Sequence, residues 1–186
     1  MFKIRTLRPS LAHTGIFVTD MDRMVKFYTE VLGLTLTDRG PGQSFDMEIA
    51  FMSANPEQHH QLALATSRPK DATFSTVMQT SFMVDSLDDL RTIRDRALAH
   101  GATGLRATDH GNAWSIYFKD PEGNTVEAYL DTPFHVPQPH GEPLDLDNSD
   151  AAIARVTEAA CRNDPGFMMR DQYVRQQARA MASSAR

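Results

Sequence analysis

His13, His59, His60, Gln79, His110, Tyr117 and Glu127 are the side chains whose types and positions invite chemistry in this sequence. The densest stretch is Gln58-His59-His60-Gln61-Leu62-Ala63-Leu64, where two adjacent imidazoles run into an alternating apolar segment. Imidazole is the side chain that exchanges protons near neutrality without help, so a histidine facing an enclosed space is a candidate acid–base group. Strand side chains alternate between faces. Alternation predicts His60 on the face of Leu62 and Leu64, looking into the enclosed space, and His59 on the other face, pointing away. Glu127 lies in the mostly apolar run Thr125-Val126-Glu127-Ala128-Tyr129-Leu130, where a buried carboxylate needs a partner. Singly, each of these residues has an ordinary explanation: a strand histidine or tyrosine, a loop histidine at His110, a solvent-facing glutamate. Brought to one place, imidazole, amide and carboxylate form the kind of donor set that holds Fe(II), Mn(II) or Zn(II) with positions left open.

What must position them is a repeated unit. Leu11 to Val18 alternates as a strand. Asp20 is placed to cap a helix carrying Met21, Met24, Phe27, Tyr28, Val31 and Leu32 at helical spacing, with Gly33 as its stop. Leu34 to Thr37 reads as a short strand and Arg39-Gly40-Pro41-Gly42 as a turn or loop. Phe45, Met47, Ile49 and Phe51 form the apolar half of a third strand, and the His59-His60 stretch is the fourth. The order then returns. A strand over 78–84 precedes a helix carrying Leu87, Leu90, Ile93, Ala97 and Leu98, ended by Gly101. Strands over 105–108 and 113–119, the type I turn Asp120-Pro121-Glu122-Gly123 and a strand over 125–130 complete it. His13 to Val18 overlays Gln79 to Val84 at an offset of 66 positions (79 minus 13). His13 and Gln79 therefore hold one position in two copies, and His60 and Glu127 each fall in the fourth strand of their copy.

Composition sets the limits. A chain of 186 residues with 41% hydrophobic side chains can build one core with an appendage. A net charge of −5 excludes a general nucleic-acid or anionic-membrane binder, and no apolar run approaches a membrane span. The single cysteine, Cys161, permits no intrachain disulfide framework and suits a reducing compartment. Met1-Phe2-Lys3-Ile4-Arg5 lacks the apolar core of a signal peptide, so the expected location is cytoplasmic. The expected division is a core over 1–130, with copies at about 10–67 and 75–130, and an appendage over 131–186. The appendage opens as an arm punctuated by Pro133, Pro137, Pro139 and Pro143, whose His135 and His140 are expected to be exposed. Two helices follow, one opening at Ser149 or Asp150 and one over about 171–181, suited to packing or to a homo-oligomer contact.

Over residues 11–131 this arrangement resembles the vicinal oxygen chelate superfamily: glyoxalase I, extradiol ring-cleaving dioxygenases, and bleomycin- and fosfomycin-resistance proteins. The extradiol group is the best match. Its patterns look like His13 in the first strand, His60 in His-His-x-Leu-Ala-Leu, His110 shortly before Tyr117, and Tyr117 ten positions before Glu127 with Asp120-Pro121-Glu122-Gly123 between. The resemblance implies an α+β fold of two paired βαβββ modules forming a curved mixed sheet around a metal site, followed by the arm and C-terminal helices. It implies a dioxygenase using Fe(II), with Mn(II) or Zn(II) as alternatives, that acts on a small aromatic diol and O2. His13 and Glu127 would be metal ligands with Gln79 in the third ligand position, His60 the acid–base group, and Tyr117 and His110 the hydrogen-bonding partners of the substrate oxygens. One departure stands out: the group's second metal histidine falls on Gln79. An amide oxygen is a harder and weaker donor to Fe(II) than imidazole. Either Gln79 ligates the metal, or His60 swings onto it and restores two nitrogens. Glyoxalase I uses a glutamine in such a module, but it also needs an acidic ligand where this chain has histidines. A metal-dependent isomerase, lyase or transferase of the same fold, or a metal-free binding or resistance protein, are the other functions the pattern allows.

Overall fold

The computed structural model describes residues 8–44 and 46–183. Phe45 and Met1 to Arg5 lie outside them, and with them the expectations placed on those residues. The described residues divide into two compact units, one within residues 12–106 and 116–129, the other of residues 8–11, 107–115 and 130–183.

The first unit carries the repeat. The first copy runs β1 (Thr14–Phe17), α1 (Met21–Leu32), β2 (Thr35–Pro41), β3 (Glu48–Ser53) and β4 (Leu62–Ala65). The second runs β5 (Thr80–Met83), α2 (Leu87–Ala99), β6 (Thr103–Asp109), β7 (Ala113–Lys119) and β8 (Thr125–Asp131), the ends of β6, β7 and β8 extending into the other unit. Each copy folds into its own mixed sheet, ordered β1-β4-β3-β2 and β6-β7-β8-β5, with the first strand parallel to the fourth. This is an α+β fold of paired βαβββ modules.

Local chemistry sets the helix ends. The Asp20 carboxylate accepts from the Arg23 amide at 3.0 Å, and Gly33, at φ 71°, turns its N–H back to the Thr29 and Tyr28 carbonyls. Between them α1 buries Met21, Met24, Phe27, Tyr28 and Val31, which share the copy's core with Ile16, Ala50, Met52, Leu62 and Leu64. In α2, Ser86 caps and Leu87, Leu90, Ile93 and Ala97 are buried. The Asp120–Gly123 turn does more than reverse the chain. The Glu122 carboxylate accepts from the Thr19 and Asp20 amides at 2.8–2.9 Å, at the start of α1, and the Tyr28 hydroxyl donates to Asp120 at 3.0 Å. Burial, then the Asp120 charge, hold the Tyr28 hydroxyl well above its ordinary pKa, so it stays a donor. These bonds tie the second copy to the first.

Several boundaries differ from expectation: β1 begins at Thr14 and β5 at Thr80, so His13 and Gln79 each stand just before their strand, and β3 begins at Glu48, after Met47. Arg39-Gly40-Pro41 is strand rather than turn, because Arg39 pairs with Glu48 on β3 at 2.7 Å and with Asp22 at 2.5 Å. β4 begins only at Leu62: the Gln58 amide turns back onto the Asn55 carbonyl, so His59 and His60 precede the strand.

The second unit holds β9 (Phe134–His135), β10 (Glu142–Pro143), α3 (Asp150–Cys161), β11 (Met168–Met169) and α4 (Arg170–Ser183). β10 pairs with the end of β6 at the sheet edge, where proline is tolerated. Trp114 Nε1–H donates to Thr157 at 2.7 Å, and Thr157 donates to the buried Asp109 at 2.5 Å. His135 and His140 are not the exposed residues expected. His135 stacks on Tyr173 with ring centres 3.7 Å apart, and His140 pairs with Asp164 at 3.1 Å. Among the described residues no helix is long and apolar enough to cross a membrane.

Candidate functional site

The first sheet has a core face and an open face. Ile16, Ala50, Met52, Leu62 and Leu64 are buried on the core side. Alternation puts Gly15, Phe17, Ile49, Phe51, Ala63 and Ala65 on the other side. The His60 ring lies 4.9 Å from the open-face Phe51 and 4.3 Å from His13, which immediately precedes β1. His60 therefore does not share a face with Leu62 and Leu64. The alternation begins at Leu62 and does not reach back through the bend at Gln61. Nor does His59 point away: its Nδ1 meets the His60 Nδ1 at 3.0 Å and its Nε2 meets Asp38 at 2.8 Å. Burial, then the neighbouring His13 and His59 rings, lower the His60 pKa and favour its neutral form.

Asp38 reaches His59 because β2 is bulged. The register steps from Leu36 opposite Met52 to Asp38 opposite Phe51, leaving Thr37 unpaired with its hydroxyl on the Phe51 carbonyl at 3.0 Å. Without the extra residue Asp38 would sit opposite Ala50 and aim a carboxylate at the core face. Beside this cluster a cavity of about 360 Å³ is lined by Ile49, Phe51, Asp38 and residues 39–43.

The second sheet holds the carboxylate. Ser81 lies directly opposite Glu127 in the parallel β5–β8 pair, and Gln79 is two residues back on the same face. Glu127 is 7% exposed. Its Oε2 accepts from Gln79 Nε2 at 2.6 Å and from the Ser81 hydroxyl at 2.5 Å, while Gln79 Nε2 also donates to Ser81 at 2.9 Å. This is the partner that a buried carboxylate requires. Both bonds end on one oxygen, leaving Oε1 outside them. The register makes Ala63, opposite Gly15, the counterpart of Glu127, so His60 stands before that position rather than on it. Tyr117 is buried under the Arg106 guanidinium, whose Cζ is 4.2 Å from the ring centre. His110 falls in the other unit, with its Nδ1 2.8 Å from the His140 carbonyl.

The expected residues thus gather in pairs, His13 with His60 and Gln79 with Glu127. Two imidazoles bound at right angles, each nitrogen about 2.1 Å from an ion, have ring centres about 4.5 Å apart. The His13–His60 spacing fits a divalent cation on that measure. Among the described residues, no three His, Cys, Asp or Glu side chains form a group that could hold a metal. The candidate donors stand as two separate pairs, imidazoles in one and a carboxylate with its amide in the other, each of a type that suits a divalent cation. Asp38 and Ser81 were missed from the sequence. Ser81 was visible as the small residue following Gln79 by two; Asp38 had no signal, because a bulge is a property of the strand pair.

The family model for the Glyoxalase/Bleomycin resistance protein/Dioxygenase superfamily matches residues 10–128. The chain belongs to this superfamily. It is 28% identical over 130 residues to a biphenyl-2,3-diol 1,2-dioxygenase of Rhodococcus globerulus, covering 68% of this chain and 65% of that protein. The chain thus spans just under two-thirds of this relative. It is 24% identical over 120 residues to a probable lactoylglutathione lyase of Vibrio parahaemolyticus, covering 63% of this chain and 87% of the lyase. Among solved structures, a glyoxylase/bleomycin resistance protein/dioxygenase domain from Frankia covers 68% of this chain and all of its own, with TM-score 0.57 and 24% identity. This likeness shows the fold.

Proposed function

We propose that the chain is a non-haem Fe(II)-dependent extradiol dioxygenase cleaving the ring of a small catechol-type diol. The observation that carries this reading is the His13–His60 imidazole pair, 4.3 Å apart beside the open sheet face, with His60 held towards its neutral form. The likeness to a biphenyl-2,3-diol 1,2-dioxygenase supports a diol as substrate. His13 and Glu127 would hold the metal, with Gln79 as the third candidate donor. Bound iron would supply the Lewis-acid and one-electron chemistry that a diol and O2 require. The neutral His60 takes a proton from a diol hydroxyl, which favours the ionised substrate. Tyr117, fixed under Arg106, hydrogen-bonds a substrate oxygen, and Ile49 and Phe51 give the adjoining cavity an apolar floor for the ring's substituent.

Gln79 favours a second reading. Its amide nitrogen is turned onto Glu127 at 2.6 Å, and a neutral amide in this position suits a metal-dependent lyase or isomerase of an oxygen-chelating substrate. The lactoylglutathione lyase relative supports that class. One assay separates the readings: anaerobic reconstitution with Fe(II), then a 3-substituted catechol and O2, watching for the yellow ring-fission product. Yellow product supports the dioxygenase. Retained metal without product turns the assignment to the second reading. Failure to retain any metal overturns both in favour of a binding or resistance role.

A further inference from the structure

We infer that Asp38 and His59 are positioning residues that fix the tautomer of His60, so that its Nε2 carries the lone pair used at the site. The inference deepens the role given to His60 above and rests on that reading for its use, though not for its geometry.

The logic is a count of hydrogens along a chain of three groups. An ionised carboxylate only accepts, so at the 2.8 Å contact His59 Nε2 must carry the hydrogen that Asp38 receives. A neutral imidazole has one N–H, so His59 Nδ1 is then bare. At the 3.0 Å contact between the two Nδ1 atoms, the hydrogen must therefore belong to His60. With Nδ1 protonated, the neutral His60 ring has its lone pair at Nε2. That atom can accept a proton or bind a cation. A carboxylate behind a functional imidazole is a recurrent orienting device, and here it acts through a second imidazole. The backbone commits to it: the bulge at Thr37 brings Asp38 opposite Phe51, whose ring lies 5.5 Å from His59 and 4.9 Å from His60.

The test is the side-chain tautomer, read by long-range proton–nitrogen correlation NMR on the full chain without iron. The spectra are recorded at about pH 8, above the ordinary imidazole range. Expected in the unmodified chain are Nε2–H for His59 and Nδ1–H for His60. Asp38→Ala should release the chain and shift His60 to a mixture dominated by Nε2–H. His59→Phe, which removes the acceptor, should do the same. His59→Gln keeps an amide oxygen able to accept, and should hold His60 as Nδ1–H. Asp38 is 71% exposed in its side chain, so its truncation leaves the fold intact. An Nε2–H His60 in the unmodified chain, or a His60 pattern unmoved by both Asp38→Ala and His59→Phe, overturns the inference. The readout involves neither catechol nor O2. A His60 held as Nδ1–H in a protein that cleaves no diol would sink the dioxygenase reading and leave this one standing.

Discussion

Asp38–His59–His60 and Asp164–His140–Cys161 are two chains of the same form, a carboxylate, an imidazole and a terminal hydrogen donor, one in each compact unit. In the second, His140 Nδ1 meets Asp164 at 3.1 Å, so its Nε2 is the bare atom facing the Cys161 sulfur at 3.8 Å. By residue types this could pass for a nucleophile with its base. The environment decides otherwise. Cys161 is fully buried, and burial, followed by the charges of Asp109, Asp164 and Glu142, pushes its thiol up to about 11. A protonated thiol has given its one hydrogen to His140 and has nothing left to offer. His60 also donates its one N–H, but it keeps a second nitrogen, and its ring stands beside His13 on an open face. The same hydrogen-bond polarity closes one cluster and leaves the other available.

The sharpest way to break this comparison is to remove the two terminal groups in turn. His60→Phe should cut ring cleavage about 10²–10⁴-fold, the usual worth of a positioned acid–base group, with melting temperature retained. Cys161→Ala should leave turnover unchanged; a comparable loss there would mean the buried cluster is chemical after all. Next in size is Gly111→Ala. Gly111 sits at φ 72°, and an added Cβ would meet Val136 Cγ2 at 2.5 Å and Cys161 Sγ at 2.8 Å. Urea denaturation should show a loss of about 1–3 kcal/mol, the overpacking cost, with the His60 tautomer undisturbed.

Smaller effects lie on opposite flanks of the pH range. The folded Cys161 thiol lies above its ordinary value of 9.0, so its contribution is whole below pH 9.0 and is lost as pH rises towards about 11. Wild type and Cys161→Ala should converge in urea midpoint over that interval. Native Cys161 should also resist iodoacetamide until the chain unfolds. His60 is shifted the other way. Its contribution is present above 6.5 and fades as pH falls through the lowered folded value, so wild type should lose stability relative to His60→Phe on the acid side. This last effect should be the smallest, because the ring is only half-buried and solvent screens it.

Much of the frame was legible. Asp20 and Gly33 bracketed α1, and apolar spacing marked the buried side of α1 and, the exposed Leu98 apart, of α2. The offset between His13 and Gln79 announced the two copies, because a periodic pattern records the local geometry each segment will adopt. Glu127 declared its need for a partner, since a carboxylate among apolar neighbours carries a desolvation cost wherever the chain folds. What the residues could not declare was where alternation starts and where it skips. His60 lost its predicted companions because β4 begins at Leu62. Asp38 found His59 because one residue of β2 has no partner on β3. Likewise His140, expected to be exposed in the proline-rich arm, is held by Asp164 and Cys161 from elsewhere in its unit. Residue types determined by themselves which groups were available for chemistry and which copies would carry them. Only tertiary structure decided which nitrogen of His60 is left open and which thiol is closed, because tautomer and burial depend on neighbours that strand register and packing alone bring into contact.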